Sequence, residues 1–337
     1  MDLQSFSELM LPAIEEHLHR AVDRAGGPGL EELHTMLAYH LGWEGEAAGE
    51  RARGKRIRPL LLLLSCAASG GSWPEALPAA AAVELVHNFS LIHDDIEDNS
   101  DLRRGRPTVW KKWGVAQAIN AGDAMFTLAH LALLDLESPT LASIRLAAAR
   151  LLQSTCLRLT QGQYLDLSYA DHKEISLEAY WPMVEGKTAA LLAASTELGA
   201  IIAGGSDSCC RTYREFGRTL GLAFQAQDDL LGIWGNAALT GKSAESDLLD
   251  GKKSLPVIFG LEKKGAFARR WKQGGITPAE VPELADSLAA EGARQFTQES
   301  ADRLTKQALK ALEAAQPQGE AGEALRALAH RLLERQE

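Results

Sequence analysis

The sequence predicts an all-helical protein, and three features of its 337 residues carry that expectation. Alanine and leucine dominate a hydrophobic share of 46%, while aromatic residues make up only 6%, and unbranched side chains lose little rotamer freedom in a helix. Strand-like runs of Val, Ile, Thr and Tyr are absent. Four segments, Ala79 to His93, Ala116 to Leu134, Leu141 to Leu159 and Ala189 to Ile202, carry apolar residues around most of the helix circumference rather than on one stripe. Such helices are normally buried in a large bundle.

Clusters of Gly, Pro and Ser interrupt the periodicity at Gly26 to Gly29, Ser69 to Pro74, Gly204 to Ser208, Gly274 to Pro282 and Gln316 to Gly319, so helices are expected between these breaks. From Ala301 onward, Leu at helical spacing among Lys, Arg, Glu and Ala predicts an amphipathic outer helix pair. No repeat of about 20 to 50 residues is evident, which argues against a solenoid. One large domain spanning residues 1–337 is expected.

The formal net charge of -10 opposes binding to nucleic acid and to acidic lipid surfaces, so any anion site must be local. Cys66, Cys156, Cys209 and Cys210 lack metal-ligand spacing, and the adjacent Cys209 and Cys210 are poorly placed to bridge each other. The start Met1-Asp2-Leu3-Gln4 lacks the basic and apolar regions of a signal peptide. No stretch reaches about 18 uncharged apolar residues. A cytoplasmic protein without a membrane span is the expectation.

His93-Asp94-Asp95-Ile96-Glu97-Asp98 ends a long apolar segment with four carboxylates in five positions. On a helix Asp94 and Asp98 share a face, with Asp95 beside them. Two carboxylates about 5 Å apart repel by roughly 3 kcal/mol at an effective dielectric of about 20, so the cluster strains the fold unless a cation neutralises it. Hard oxygen donors point to magnesium, which commonly bridges one or two carboxylates to substrate phosphates. A solvated acidic helix end is the bland alternative, and the apolar Leu85 to Ile92 argues against it. A second pair, Asp228-Asp229, lies in another apolar helical context, so the two pairs suggest opposing walls of one metal-filled cavity. Gly232, four positions after Asp228, supplies no carboxylate and weakens the second motif.

Cations accompany both acidic clusters: Lys55, Arg56 and Arg58; Arg103, Arg104 and Arg106; Lys187; and Lys242, Lys252 and Lys253. Arg grips phosphate oxygens bidentately and Lys acts as a point charge. Two groups of cations around carboxylates suggest two phosphate-bearing ligands, one held through magnesium and Asp, the other by Lys and Arg alone. Singly, each of these residues reads as a solvated surface charge. The string Gly54 to Pro59 lacks the spacing of a Walker A loop.

Together these strings resemble the trans-isoprenyl diphosphate synthases of the polyprenyl synthetase family, which includes farnesyl and geranylgeranyl diphosphate synthases. Five motifs stand in family order: GKRIRP, ELVHNFSLIHDDIED, LRRGRPT, GKTA, and FQAQDD followed by GKKSLP. The resemblance implies a single helical bundle of the isoprenoid synthase type around a deep central cavity, usually homodimeric, using two or three magnesium ions with manganese as a substitute. It implies that Asp94, Asp95, Asp98 and Asp228, supported by Asp229, hold magnesium and diphosphate. Arg103, Lys187 and Lys242 match the grips on the allylic diphosphate. Lys55, Arg58, His87 and Arg104 match the isopentenyl diphosphate site, with Arg56 as a further contact. Thr188, Gln225 and Lys252 match residues at the reacting centre or the allylic diphosphate, and Gln161 and Gln163 match a helix facing the cavity. The family's second motif usually ends in a third Asp, where this chain has Gly232.

The reaction implied is addition of isopentenyl diphosphate to an allylic cation. Phe89 lies five residues before Asp94, about 7.5 Å along the axis at about 1.5 Å per residue, with small Ser90 beside it. One aromatic at that depth resembles the family's geranylgeranyl-forming pattern, so a C20 product is expected, with Phe126 as the alternative floor and farnesyl diphosphate as the alternative product. A class I terpene cyclase would not need GKRIRP, and a noncatalytic subunit of a heteromeric synthase would fit Gly232 but not the intact first motif.

Overall fold

Asp2 opens the first helix by accepting a hydrogen bond from the Ser5 N–H at 2.9 Å, which satisfies one of the orphan donors of a helix start. The computed structural model describes residues 1–136, 142–172, 175–235 and 246–333. In chain order its helices are α1 (Leu3–Val22), α2 (Glu31–His40), α3 (Glu50–Arg53), α4 (Ile57–Ala68) and α5 (Leu77–Glu97). After a short hairpin come α6 (Val109–Trp113), α7 (Val115–Leu134), α8 (Ala142–Asp171), α9 (Leu177–Val184), α10 (Ala190–Ile202) and α11 (Asp207–Trp234). The remainder is α12 (Ser246–Leu249), α13 (Leu255–Lys263), α14 (Ala266–Trp271), α15 (Val281–Ala290), α16 (Ala293–Ala314) and α17 (Gly319–Leu333). The breaks fall where the Gly and Pro clusters predict them, and the tail pair is α16 and α17.

The hairpin was not foreseen. Leu102–Arg103 (β1) pairs antiparallel with Arg106–Pro107 (β2), leaving Arg104 and Gly105 as a two-residue loop. Both loop residues have positive φ, 53° and 78°, which is the requirement of a type I′ hairpin turn. A ladder this short has too few residues for any alternation of polarity to register.

The chain divides into two compact units. The first comprises Met1–Ser154, Ala194–Arg211 and Gln316–Leu325. Its core holds Met10, Ile14 and Leu18 of α1, Leu61 to Leu64 of α4, Val83, Leu85 and Val86 of α5, and Met125 and Ala129 of α7. The alanines of α5 let α7, α4 and α1 all pack against that helix. The second unit comprises Thr155–Ala193, Thr212–Ala315 and Arg326–Glu337. Its core gathers Ile233, Leu248, Val257, Leu261, Phe267, Val281, Leu284 and Leu288. At roughly 1.5–3 kcal/mol for each fully buried large apolar side chain, each of these clusters gives a rigid base for the polar groups described next. Among the described residues no helix is long and apolar enough to cross a membrane.

Candidate active site

In the first unit α5 delivers its acidic end between two basic segments. The Asp98 N–H closes the last turn onto the Asp94 carbonyl at 2.8 Å, so Asp94 and Asp98 stand one turn apart. Asp94 is half-buried and Asp98 exposed, whereas Asp95 is only 1% exposed. Asp95 turns toward the hairpin: Arg103 Nε donates to both of its oxygens at 2.8 and 2.9 Å, and Arg103 Nη2 lies 2.8 Å from Oδ1. Burial pushes the Asp95 pKa up against the opposing pull of Arg103. Asp95 and Arg103, expected on magnesium and on the allylic diphosphate, thus hold each other. At the hairpin tip Arg104 donates to the Ala52 carbonyl at 2.7 Å, while Arg106 donates to the Tyr39, Glu44 and Glu46 carbonyls and pins that loop.

The GKRIRP segment opens α4. Lys55 is exposed and Arg58 half-buried, with its Nε enclosed and without a hydrogen-bond partner among the described residues. Arg56 behaves differently: at φ 46° its side chain turns inward, donating to Glu15 at 2.7 Å, Glu84 at 2.9 Å and the Leu41 carbonyl at 3.2 Å. All three of its guanidinium nitrogens are committed within the protein. His87 sits on α5 among positive charge; burial first, then Arg58, Arg104 and Arg103, hold its pKa well below the ordinary value. His40, at the end of α2, is lowered likewise by burial and by Arg103, Arg104, Arg56 and Arg106. His40 lines a small cavity with Asp95, Arg103 and Arg104, and its Nε2 has no hydrogen-bond partner among the described residues. Such a concentration of cations around two neutral imidazoles suits a polyanion.

These imidazoles set a pH dependence. The unfolded chain takes up a proton on each near pH 6.5, while the folded protein takes it up only at lower pH. Below about 6.5 the unfolded state therefore binds more protons, and stability falls as pH falls. The melting temperature of the ligand-free protein is expected to drop between pH 7 and 5.5, and inorganic pyrophosphate is expected to reduce the drop by making the protonated imidazoles favourable. An equal drop with and without pyrophosphate would separate these histidines from anion binding.

In the second unit a close approach of backbones sets Lys187. The chain between α9 and α10 forms a π turn over Glu185–Ala189, a widened turn often found at functional sites. A Cβ on Gly162 of α8 would stand 2.1 Å from the Lys187 nitrogen, so only glycine lets α8 lie against that turn. Lys187 then reaches Asp166 on α8 as an ion pair. From α11, Gln225 accepts from the Thr188 hydroxyl at 2.8 Å and donates its amide to Asp229 at 2.8 Å.

Asp228 and Asp229, though adjacent, have opposite surroundings. Asp229 is 1% exposed. It also accepts from the Tyr180 hydroxyl at 2.6 Å and from the Leu255 N–H at 2.7 Å, a first-turn donor of α13. Burial pushes its pKa up, and Lys252, Tyr180, Leu255 and Gln225 work against that rise. Half-buried Asp228 makes no hydrogen bond or ion pair with any described residue. Lys252 lies 3.9 Å from Asp229 and 3.7 Å from Asp247. Burial opposes its charge, but Asp229, Asp247 and Asp228 outweigh burial and raise its pKa. Lys253 donates to the Tyr169 and His172 carbonyls, and Lys242 lies outside the described residues.

Phe89 and Phe126 form one edge-to-face pair in the first unit, ring centroids 4.9 Å apart, with His93 and His130 on either side. The two alternative floors read from the sequence are therefore in contact. Ser90 bonds back to the His87 carbonyl at 2.8 Å.

The carboxylates of Asp94, Asp98 and Asp228 are hard donors that suit magnesium. Among the described residues no group of three or more His, Cys, Asp or Glu side chains could hold a metal ion by itself. Magnesium keeps waters and shares its shell with substrate phosphates. Sequence reasoning missed His40, Glu84, Asp166, Tyr180 and Asp247. Of these Glu84, which opens the ELVHNFSLIHDDIED string, Asp166, in the Gln161 to Asp166 segment, and Asp247, five before Lys252, stood in or near a motif.

The sequence matches the polyprenyl synthetase family over residues 48–280. It is 40% identical over 318 residues to a (2E,6E)-farnesyl diphosphate synthase of Mycobacterium tuberculosis, covering 90% of this chain and 86% of that protein. A geranylgeranyl diphosphate synthase of the same species is 39% identical over 304 residues, covering 88% and 84%. Among solved structures, a polyprenyl synthetase from Streptomyces coelicolor superposes with a TM-score of 0.87 at 36% identity, over 98% of this chain and 99% of that one. A geranylgeranyl pyrophosphate synthetase from Pyrococcus horikoshii gives 0.89 at 31% identity, over 99% and 98%. With its all-α fold, its two acidic motifs and a family match across most of its length, the chain belongs to the polyprenyl synthetase family and is a prenyltransferase.

Proposed function

We infer that the enzyme condenses isopentenyl diphosphate with an allylic diphosphate, dimethylallyl, geranyl or farnesyl, and that its preferred product is geranylgeranyl diphosphate. The observation that carries this reading is the Arg58, His87, Arg104 and His40 cluster in the same unit as Asp94 and Asp98: an anion site of arginines and imidazoles beside a carboxylate site. Isopentenyl diphosphate would take the first through Lys55, Arg58, His87 and Arg104. For the allylic diphosphate, Asp94 and Asp98 are the ligands this reading assigns in the first unit, and Asp228, with Lys187, Lys252 and Lys242 as cationic grips, those it assigns in the second. Asp95 serves by fixing Arg103, Asp229 by fixing Gln225 and Lys252, and Arg56 by holding the loop that carries its neighbours. The 337 residues act as one catalytic domain.

Magnesium, when bound, would supply positive charge to the departing diphosphate. The chain's own cations add fixed charge that needs no rearrangement as negative charge develops. The allylic C–O bond breaks with its electron pair leaving on diphosphate. The isopentenyl double bond then attacks the cation, a C–C bond forms, and the proton lost goes to the departed diphosphate. Thr188 Oγ1 and Gln225 Oε1 offer the cation oxygen dipoles without a strong nucleophile, and their mutual hydrogen bond keeps both in place.

Farnesyl and geranylgeranyl relatives stand at nearly equal identity, so length rests on the tail's path. Phe89 and Phe126 together form a stop below Asp94, and small Ser90 leaves room above it. Incubating the purified protein with magnesium, isopentenyl diphosphate and each of the C5, C10 and C15 primers is expected to end at C20 by chromatography. Phe89→Ala is expected to lengthen the products by one or more isoprene units. Termination at C15 would refute the length, and turnover of allylic substrate without isopentenyl diphosphate would refute elongation.

Exposed apolar side chains on α7 and α8, including Ile119, Leu131, Leu134 and Leu146, support a homodimer, which light scattering would report as twice the monomer mass. A cytoplasmic location fits diphosphate substrates and four free cysteines.

A further inference from the structure

Tyr180 stands on α9 with only 1% of its surface exposed, and the reaction as described gives it no part. A buried phenol hydroxyl usually finds a partner. It donates to Asp229 Oδ2 at 2.6 Å, and the Leu255 N–H donates to the same oxygen at 2.7 Å. Both donors are braced by one helix: the Leu177 N–H at the start of α9 donates to Glu262 of α13 at 2.8 Å, and Leu255 opens α13. With Oδ2 taken, Oδ1 is left for the Gln225 amide at 2.8 Å.

The direction of that last bond decides the sign of the dipole at the far end. Asp229 is ringed by donors, the Tyr180 hydroxyl, the Leu255 N–H and the Lys252 ammonium at 3.9 Å, so it accepts, and the Gln225 amide must turn its NH2 group toward it. The Gln225 oxygen is thereby turned to Thr188, whose hydroxyl proton it accepts at 2.8 Å. With its proton committed, the Thr188 oxygen has only lone pairs left to offer. The chain from Asp229 through Gln225 to Thr188 thus starts at a carboxylate and ends in lone pairs, each bond polarising the next. A reversed amide would donate to Thr188 and release the Thr188 proton to face an allylic cation, which it would repel. Gly221 lies one turn before Gln225 on the same face of α11. A Cβ there would stand 2.6 Å from the Ala189 Cα, so glycine is what lets α11 come against the residue beside Thr188.

We propose that Tyr180 is a positioning residue of prenyl transfer: by holding Asp229 Oδ2 it fixes the Gln225 amide with its oxygen toward Thr188, so that both side chains present negative dipoles to the allylic cation. Tyr180 touches no substrate in this role, which rests on the reading above that Thr188 and Gln225 face that cation.

A double-mutant cycle on the full chain tests the role, with magnesium, isopentenyl diphosphate and geranyl diphosphate, reading kcat and KM separately. Tyr180→Phe keeps the ring and removes the hydroxyl. It is expected to lower kcat about tenfold, the scale of one lost hydrogen bond. KM for geranyl diphosphate should stay within about twofold of the parent, because the dipoles matter only once the cation develops. Thr188→Val removes the last link and is expected to lower kcat by more. Tyr180→Phe combined with Thr188→Val is expected to stay within about twofold of Thr188→Val alone, since both act through one chain of bonds. A purely structural Tyr180 would lower the ligand-free melting temperature, and its effect on kcat would multiply with that of Thr188→Val.

A parental kcat in Tyr180→Phe overturns the proposal, as does multiplication of the two effects in the double variant. Should Tyr180→Phe not fold, Gln225→Leu takes its place in the cycle, and multiplication with Thr188→Val overturns the relay by the same criterion. A parental kcat in Thr188→Val would instead overturn the reading of Thr188 at the reacting centre on which the proposal stands.

Discussion

Asp94→Asn is expected to lower kcat about a thousandfold, the scale seen when one fixed electrostatic contact to a developing charge is removed, while the ligand-free fold stays at least as stable as the parent. Asp94 is half-buried at the end of α5, one turn from Asp98, with Asp95 and Glu97 adjacent. Asparagine keeps the shape of the side chain and lessens the negative charge of the acidic cluster, while Asp95 stays paired with Arg103. Loss of activity and unchanged or raised melting temperature would thus occur together. Stabilisation by magnesium with pyrophosphate should vanish in the same variant. Turnover within about tenfold of the parent would remove Asp94 from the reacting site.

Arg56→Ala is expected to act in the opposite way, through the fold. Arg56 and Glu84 bond at 2.9 Å with side chains only 2% and 3% exposed, and Glu15 holds the same guanidinium at 2.7 Å. Removing the arginine leaves Glu84 buried without its counter-charge, which costs about 3–5 kcal/mol. A fall of several degrees in melting temperature should follow. Arg56→Lys cannot restore three separate bonds from one fork, so it should recover only part of the loss. Arg56→Met with Glu84→Met removes both charges together and should recover more than Arg56→Lys. Had Arg56 been a substrate contact, the single change would raise KM for isopentenyl diphosphate with the melting temperature unmoved.

Much of the candidate site was legible because residue type fixes chemistry. Four carboxylates at the end of an apolar helix, or Lys and Arg beside them, announce hard metal ions and phosphate wherever they fold. Helix positions were legible because apolar periodicity and Gly and Pro breaks are local: α5, α7 and α10 lie within a few residues of the expected segments. The β1–β2 hairpin escaped because its signal is two residues, Arg104 and Gly105, adopting positive φ. Arg56 looked like its neighbours Lys55 and Arg58 because a sequence does not show which cations are already taken.

The sequence by itself determined the all-helical class, the family and the inventory of acids and bases, since side-chain chemistry and helical periodicity need no distant partner. Tertiary structure alone decided how those charges are allotted. Arg56 goes to Glu84 and Glu15, 28 and 41 residues away, Arg103 to Asp95, Lys187 to Asp166, and the Asp247 carboxylate to the space above Gly232. The physical reason is that a buried charge must find a counter-charge or shift its proton, and which one it finds is fixed by how the helices pack.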